Sequence, residues 1–265
     1  MVNDMEQLTP GQLIQLLETL APPELAAEWD NTGLLLEPAG HRPVRQVLLT
    51  LDLTPAVTEE ALTSDIDFIV AYHPPIFSGL KRLTLANPLT RSLLRLLEAG
   101  IAVYSPHTAL DAAPGGVSDW LCKAVPRAEV EPIEGSGRLI TLETSLTPKA
   151  LGEALAGHLN LPYLRHAPAD HGPEKIRTLA LCPGAGASLL REVRADAVFT
   201  GEMRHHDILA LASGGTHVFL SEHSHTERPY LAVLRDNLLN LLPDDVRVVL
   251  SKADRDPVQL VLPRA

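Results

Sequence analysis

Apolar residues recur along this chain in two alternating rhythms. Leu13, Leu16, Leu17 and Leu20 have helical spacing, and Thr9-Pro10 marks where that helix starts. Val47 to Leu51 reads as a strand, after which Thr54-Pro55 opens a helix through Glu59, Glu60 and Ala61. Phe68 to Ala71 is a second short strand, stopped by Pro74-Pro75. A Leu-rich helix covers Pro88 to Glu98, Ile101 to Tyr104 is a third strand, and a helix follows Gly116. In the second half, strands are expected at Leu139 to Leu146, Thr178 to Cys182, Ala197 to Thr200 and His217 to Leu220. Helices are expected after Thr147-Pro148 and near Ser188, Met203 and Thr226. Val246 to Leu250 and Val258 to Leu262 close the chain as strands.

This alternation predicts an α/β protein with a largely parallel sheet or sheets. A length of 265 residues suits one large domain or two small ones. The Pro- and Glu-rich stretch from Pro126 to Gly137 is the linker candidate. A Thr-Pro helix start recurs at Thr9, Thr54 and Thr147, without an exact internal repeat.

Composition narrows the function classes. Hydrophobic residues make up 45% and charged residues 21%, ordinary for a globular protein. The net charge of -11 argues against non-specific nucleic-acid binding, which needs Lys and Arg to neutralise phosphates. No apolar run reaches membrane-spanning length, and Met1 to Glu6 lacks a basic start followed by an apolar run. The cytoplasm is the expected compartment. Cys122 and Cys182 form no CxxC pair and read as buried core thiols.

The 11 histidines carry the candidate chemistry, because several fall just past expected strand ends. His73 follows the second strand, and His107 follows the third with Asp111 four residues on. Glu202, His205 and His206 follow the Ala197–Thr200 strand. His223, His225 and Glu227 follow the His217–Leu220 strand. In open α/β sheets ligands bind at the carboxyl ends of strands. Imidazole and carboxylate donors suit a transition metal, and carboxylates can bridge two cations. Thr226 is a candidate N-cap, which would set Glu227 near a helix start where the dipole favours it.

Each residue also has a structural reading. His73 before Pro-Pro is compatible with a loop histidine, and Asp111 with a turn ahead of Pro114-Gly115-Gly116. His205 and His206 are compatible with one core and one solvated histidine. His217 reads as structural and Glu222 as a solvated neighbour. Pro183 to Ser188 joins a strand to a helix and is read mainly as a tight turn, with anion binding the lesser reading. No GxSxG surrounds Ser221 or Ser224, which argues against a serine hydrolase.

Taken together, these segments resemble a known family. They are Trp29-Asp30-Asn31-Thr32-Gly33-Leu34, Leu51-Asp52-Leu53-Thr54-Pro55, Tyr72-His73-Pro74-Pro75-Ile76-Phe77, His107-Thr108-Ala109-Leu110-Asp111 with Gly115-Gly116-Val117, Thr200-Gly201-Glu202 with His205-His206, and His223 to Pro229. Their order and spacing, over nearly the whole chain, resemble the Nif-three-like family (NGG-one-interacting factor three). Some of its members are called type 2 GTP cyclohydrolase I.

The resemblance implies two α/β domains with a metal site in the cleft between them. The first would be residues 1–126 plus 235–265 and the second 127–234, because the chain returns to the first domain at its C-terminus. It implies metal ligands at His73, Asp111, His223 and Glu227, holding one or two divalent ions (Zn, Fe, Mn, Ni or Co). It implies a toroidal homohexamer acting on a small molecule; the net charge and the lack of a spanning apolar run add the expectation of no nucleic-acid or membrane partner. The expected activity is metal-dependent hydrolysis of a nucleotide or related compound, with His107 or Glu202 carrying protons. A non-enzymatic metal-binding scaffold is the alternative. The chain departs from many bacterial members by carrying Tyr72-His73 where they have two adjacent histidines. Tyr72 would ligate only as a phenolate, which its ordinary pKa of about 10 opposes, and His107 would then stand in as a ligand, an outer-sphere partner or a base.

Overall fold

The computed structural model of the protein describes residues 7–40, 42–259 and 261. Short apolar runs form strands here because each is bounded by a turn and buried on both faces. The first sheet is built from β1 (Gly33–Leu36), β2 (Gln46–Thr50), β3 (Phe68–Ala71), β4 (Ala102–Ser105) and β11 (Arg247–Leu250), in the order β1-β4-β3-β2-β11. Only β1 runs antiparallel to its neighbour. The second sheet contains β5 (Arg127–Ile133), β6 (Gly137–Leu146), β7 (Arg165–Ala167), β8 (Ile176–Cys182), β9 (Ala197–Thr200) and β10 (His217–Leu220), in the order β5-β6-β8-β9-β10-β7. Its central strands β8, β9 and β10 are parallel, and β5, β6 and β7 flank them in antiparallel pairings.

The helices are α1 (Pro10–Leu20), α2 (Pro55–Thr63), α3 (Pro88–Glu98), α4 (His107–Ala112), α5 (Val117–Leu121), α6 (Pro148–His158), α7 (Ala187–Leu190), α8 (His205–Ser213) and α9 (Tyr230–Leu239). The Thr-Pro signals act as expected. Thr9, Thr54 and Thr147 each accept a backbone N–H in the first turn, and proline takes the position whose missing N–H costs nothing.

Alternate strand residues face different cores. Val47, Leu49, Phe68 and Val70 join Leu179, Leu181, Phe199 and Phe219 in one cluster that runs between the two sheets, with α1, α5, α6 and α9 contributing Leu17, Trp120, Leu155 and Leu234. The opposite face of the first sheet (Leu48, Ile69, Val103) packs under α2 and α3. That of the second (Ala180, Val198, Val218) packs under α7 and α8.

Several expectations are corrected. The Pro126–Gly137 stretch is no open linker: β5 occupies most of it, paired antiparallel with β6 and with a register shift between Arg127 and Glu129. Its alternating charged residues made it look loop-like, yet one solvated face is normal for an antiparallel edge strand. Thr226 caps no helix. A 3-10 turn spans His223–Thr226, and α9 begins only at Tyr230. Residues 258 and 259 are not in a strand, and residues 260 and 262 of that expected strand lie outside the described ones. The short strands β1 and β7 and the helix α4 carried too little periodicity to be foreseen.

Phe199 is fully buried in the shared core. Phe199→Ala should destabilise the fold by about 3–5 kcal/mol, read as a lower denaturant midpoint with unchanged slope.

Candidate metal centre

The parallel strands of both sheets point their carboxyl ends at one place. Asp52 follows β2, His73 follows β3 and His107 follows β4. Gly184 follows β8, Glu202 follows β9 and His223 follows β10. Glu227 lies just beyond the 3-10 turn that β10 feeds. The expectation that strand ends would gather the histidines is therefore realised for His73, His107 and His223.

Three of these residues meet. One donor atom each from His73, His223 and Glu227 lies within 4.8 Å of the others. His73 Nε2 is 3.3 Å from Glu227 Oε2, and His223 Nε2 is 3.3 Å from Glu227 Oε1. The opposite ring nitrogens are held by carboxylates: His73 Nδ1 bonds Asp52 Oδ1 at 2.9 Å, and His223 Nδ1 bonds Glu202 Oε1 at 2.9 Å. A carboxylate behind an imidazole fixes its tautomer and aims the far nitrogen, which is the arrangement metal-ligating histidines adopt. Glu227 is 3% exposed and its Oε2 has no hydrogen bond of good geometry. Each Glu227 oxygen faces an imidazole Nε2 at 3.3 Å, longer than a good hydrogen bond, and a cation between these donors would satisfy them better. The donor set thus fits a divalent ion.

The electrostatics agree. Burial works against the protonated His73 ring, but hydrogen bonds to Asp52 and Glu227 outweigh it and push its pKa up to about 10. The hydrogen bond to Glu227 leads in raising His223 to about 9. Burial opposes the ionised Glu227, and the two imidazoles nevertheless hold its pKa below the usual carboxylate value. Two protonated rings beside one carboxylate balance its charge, as a cation would.

Asp111 sits on α4, 5% exposed, and accepts a hydrogen bond from the Tyr72 hydroxyl. Burial and the charge of Glu227 raise its pKa to about 8. Burial, followed by the charges of Asp111 and Glu227, raises the Tyr72 phenol well above its ordinary value. Tyr72 is therefore a proton donor to Asp111 in this structure, and a phenolate ligand is disfavoured. His107 takes a positive φ of 26° at the start of α4, and its Nδ1 bonds Asp30 Oδ1 at 2.8 Å. Its ring centroid lies 5.4 Å from that of His73. Glu202 is spent on the back of His223.

His205 and His206 are both exposed on α8, so the expectation of one core histidine there is corrected. His225 turns away to the Ser221 carbonyl. His217 is buried in β10 with its Nε2 3.1 Å from the Pro173 carbonyl, a structural role as expected.

Sequence reasoning missed Asp30, Asp52 and Gly184 as site residues. The two aspartates stand in the segments that carried the family resemblance, so the signal was present without its role. Gly184 has φ +60°, and a Cβ there would meet Glu227 Oε1 at 2.5 Å and His223 Nε2 at 3.1 Å. The glycine turn is thus needed to make room beside the three donors. His73, His107, Asp111, Gly184, His223 and Glu227 are among the residues that line a cleft of ≈ 1490 Å³.

The chain matches the family described as Duf34/NIF3 (NGG1p interacting factor 3) over residues 8–257. It is 38% identical to NIF3-like protein 1 of Drosophila melanogaster, over 94% of this chain and 88% of that one. It is 39% identical to the NIF3 homolog of Schizosaccharomyces pombe, over 94% and 96%. Among solved structures, reduced HcgD from Methanocaldococcus jannaschii superposes with a TM-score of 0.81 at 23% identity, covering 92% of this chain and 99% of that one.

Glu227→Ala should lose divalent-ion binding while keeping its circular dichroism spectrum, measured by elemental analysis after loading with Zn, Mn or Fe. Asp52→Ala should retain binding but weaken it about 10–100-fold, as read by competition with a chelator. Equal affinity in both variants and wild type would show the triad to be only an ion-pair cluster.

Proposed function

The chain belongs to the Duf34/NIF3 family, and we propose that it is a divalent-metal-binding protein serving metal-dependent hydrolysis of a nucleotide or related compound, similar to type 2 GTP cyclohydrolase I. The observation that carries this reading is the convergence of donor atoms from His73, His223 and the buried Glu227, with each imidazole aimed by a carboxylate. His73, His223 and Glu227 would hold a first ion, and Asp111 is placed to take part if its proton and its bond to Tyr72 give way. Zn, Fe, Mn, Ni and Co all suit this mixture of imidazole and carboxylate.

When bound, such an ion supplies Lewis acidity and makes nearby water acidic enough to react near neutral pH. The chain's own residues do the rest. Asp30 fixes the His107 ring through Nδ1, which leaves Nε2 to hold or move a proton at the substrate. Glu202, half exposed, orients His223 and stands at the rim where a proton can pass to solvent. The fold and the donor set leave the substrate open.

Residues 1–126 with 235–265, and 127–234, are proposed as the two domains that bring these ligands together. Assembly as a toroidal homohexamer and residence in the cytoplasm belong to the same proposal. No helix among the described residues is long and apolar enough to cross a membrane. A second reading, a metal-binding scaffold without turnover, is favoured by Leu83 and Leu85, which are 54% and 62% exposed between β3 and α3.

A substrate panel with added metal separates the two readings. His107→Ala should lose turnover and keep its metal; loss of the metal would make His107 a ligand instead. Metal binding with no turnover of any compound supports the scaffold. Sedimentation at micromolar concentration should show a hexamer, and a monomer would remove the toroid.

A further inference from the structure

A file of aromatic rings leads out of the metal centre. The His73 and His107 centroids are 5.4 Å apart, those of His107 and Trp29 are 6.1 Å apart, and those of Trp29 and Phe77 are 6.0 Å apart. The outer two are the exposed ones, Trp29 at 64% and Phe77 at 55%, and both line the cleft. Solvating that much aromatic surface is unfavourable unless something covers it. The rings are also held in place. Asn31 Nδ2 donates to the Ile76 carbonyl at 2.5 Å, tying the Trp29 loop to the Phe77 loop. Asp30, between them in sequence, clamps His107 and Thr108.

Lys and Arg are scarce in the cleft. Glu24, Glu28, Glu134 and Glu192 line it, in addition to Asp111 and Glu227. Among the described lining residues the one Lys or Arg is Arg138. That guanidinium is committed: Nε bonds Asp119 Oδ1 at 2.6 Å, and its two terminal nitrogens bond the Gly137 and Ala112 carbonyls at 2.9 Å each. Among the described lining residues no guanidinium or ammonium is therefore left to bind a ligand, so its recognition there falls to the rings.

We propose that Trp29 and Phe77 form a stacking subsite for a planar heteroaromatic ring. This deepens the hydrolase reading and rests on it for the reaction at the metal centre. Stacking on Trp29 would set the ring beside His107, at the distance where a proton can be exchanged and the metal centre reached. The ring file supplies the orientation.

The test uses the assembled protein as purified and reads intrinsic fluorescence. The chain has two tryptophans, and Trp120 is 9% exposed, so a ligand-dependent change disappearing in Trp29→Leu reports Trp29. The probes are guanosine, GTP and ribose. Guanosine should quench wild type and Phe77→Leu should weaken it about tenfold, the loss expected for one stacking partner. GTP, which carries the same ring, should quench as guanosine does, and ribose should not. No response to GTP, or equal responses to ribose and guanosine, overturns the proposal. So does a Trp29 that acrylamide cannot reach in the assembled protein, because another copy of the chain would then cover it. Metal content is measured on the same samples. A full metal complement without a guanosine response defeats the subsite and leaves the metal centre standing. A guanosine response that survives in metal-free Glu227→Gln supports the subsite independently of the hydrolase reading.

Discussion

The structure turns on one buried carboxylate. Glu227 is 3% exposed and is met by an imidazole from each sheet, His73 from the loop after β3 and His223 from the turn after β10. An isolated carboxylate in that position would protonate or stay in water. It remains ionised because its neighbours are cationic donors, and those are held by carboxylates of their own, Asp52 and Glu202. The charges alternate outward from the buried centre to the rim. Removing any member leaves the next one unbalanced, so the two sheets' loops are bound to a common electrostatic arrangement.

Room for that arrangement comes from backbone features. Gly184 turns with positive φ against Glu227 and His223, and Gly201 packs against the Gly184 carbonyl and the His223 backbone. Thr226, expected as a helix cap, instead accepts the Gly184 N–H at 2.8 Å and donates to the His223 carbonyl at 2.7 Å. It ties the glycine turn to the histidine turn. The fold therefore places its strain and its glycines where backbone must approach donor atoms closely.

Tyr72 explains how the departure from paired histidines is accommodated. Its hydroxyl hydrogen-bonds Asp111 in a fully buried setting, and burial with neighbouring carboxylates keeps both groups protonated more readily than in water. A phenol in this place removes one candidate ligand nitrogen and occupies one candidate ligand oxygen. The centre is consequently asymmetric: a complete three-donor group on the Glu227 side, and a capped carboxyl on the Asp111 side.

Much of this was legible in the chain. Thr9, Thr54 and Thr147 announced their helices through local capping chemistry, and the apolar runs of β2, β3, β8, β9 and β10 announced buried strands, because these signals act within a few residues. The clustering of His73, His107 and His223 after strands was readable for the same reason. What tertiary structure alone decided was pairing. That β5 is a strand depends on β6 lying beside it, and that Tyr72 meets Asp111 depends on bringing together side chains 39 residues apart, one past β3 and one on α4. The partners Asp52 for His73, Glu202 for His223 and Asp30 for His107 lie 21 to 77 residues apart in sequence. Residue type shows that a side chain can ligate or donate. Which atom it meets is set by how two sheets, separately patterned, pack across one shared core.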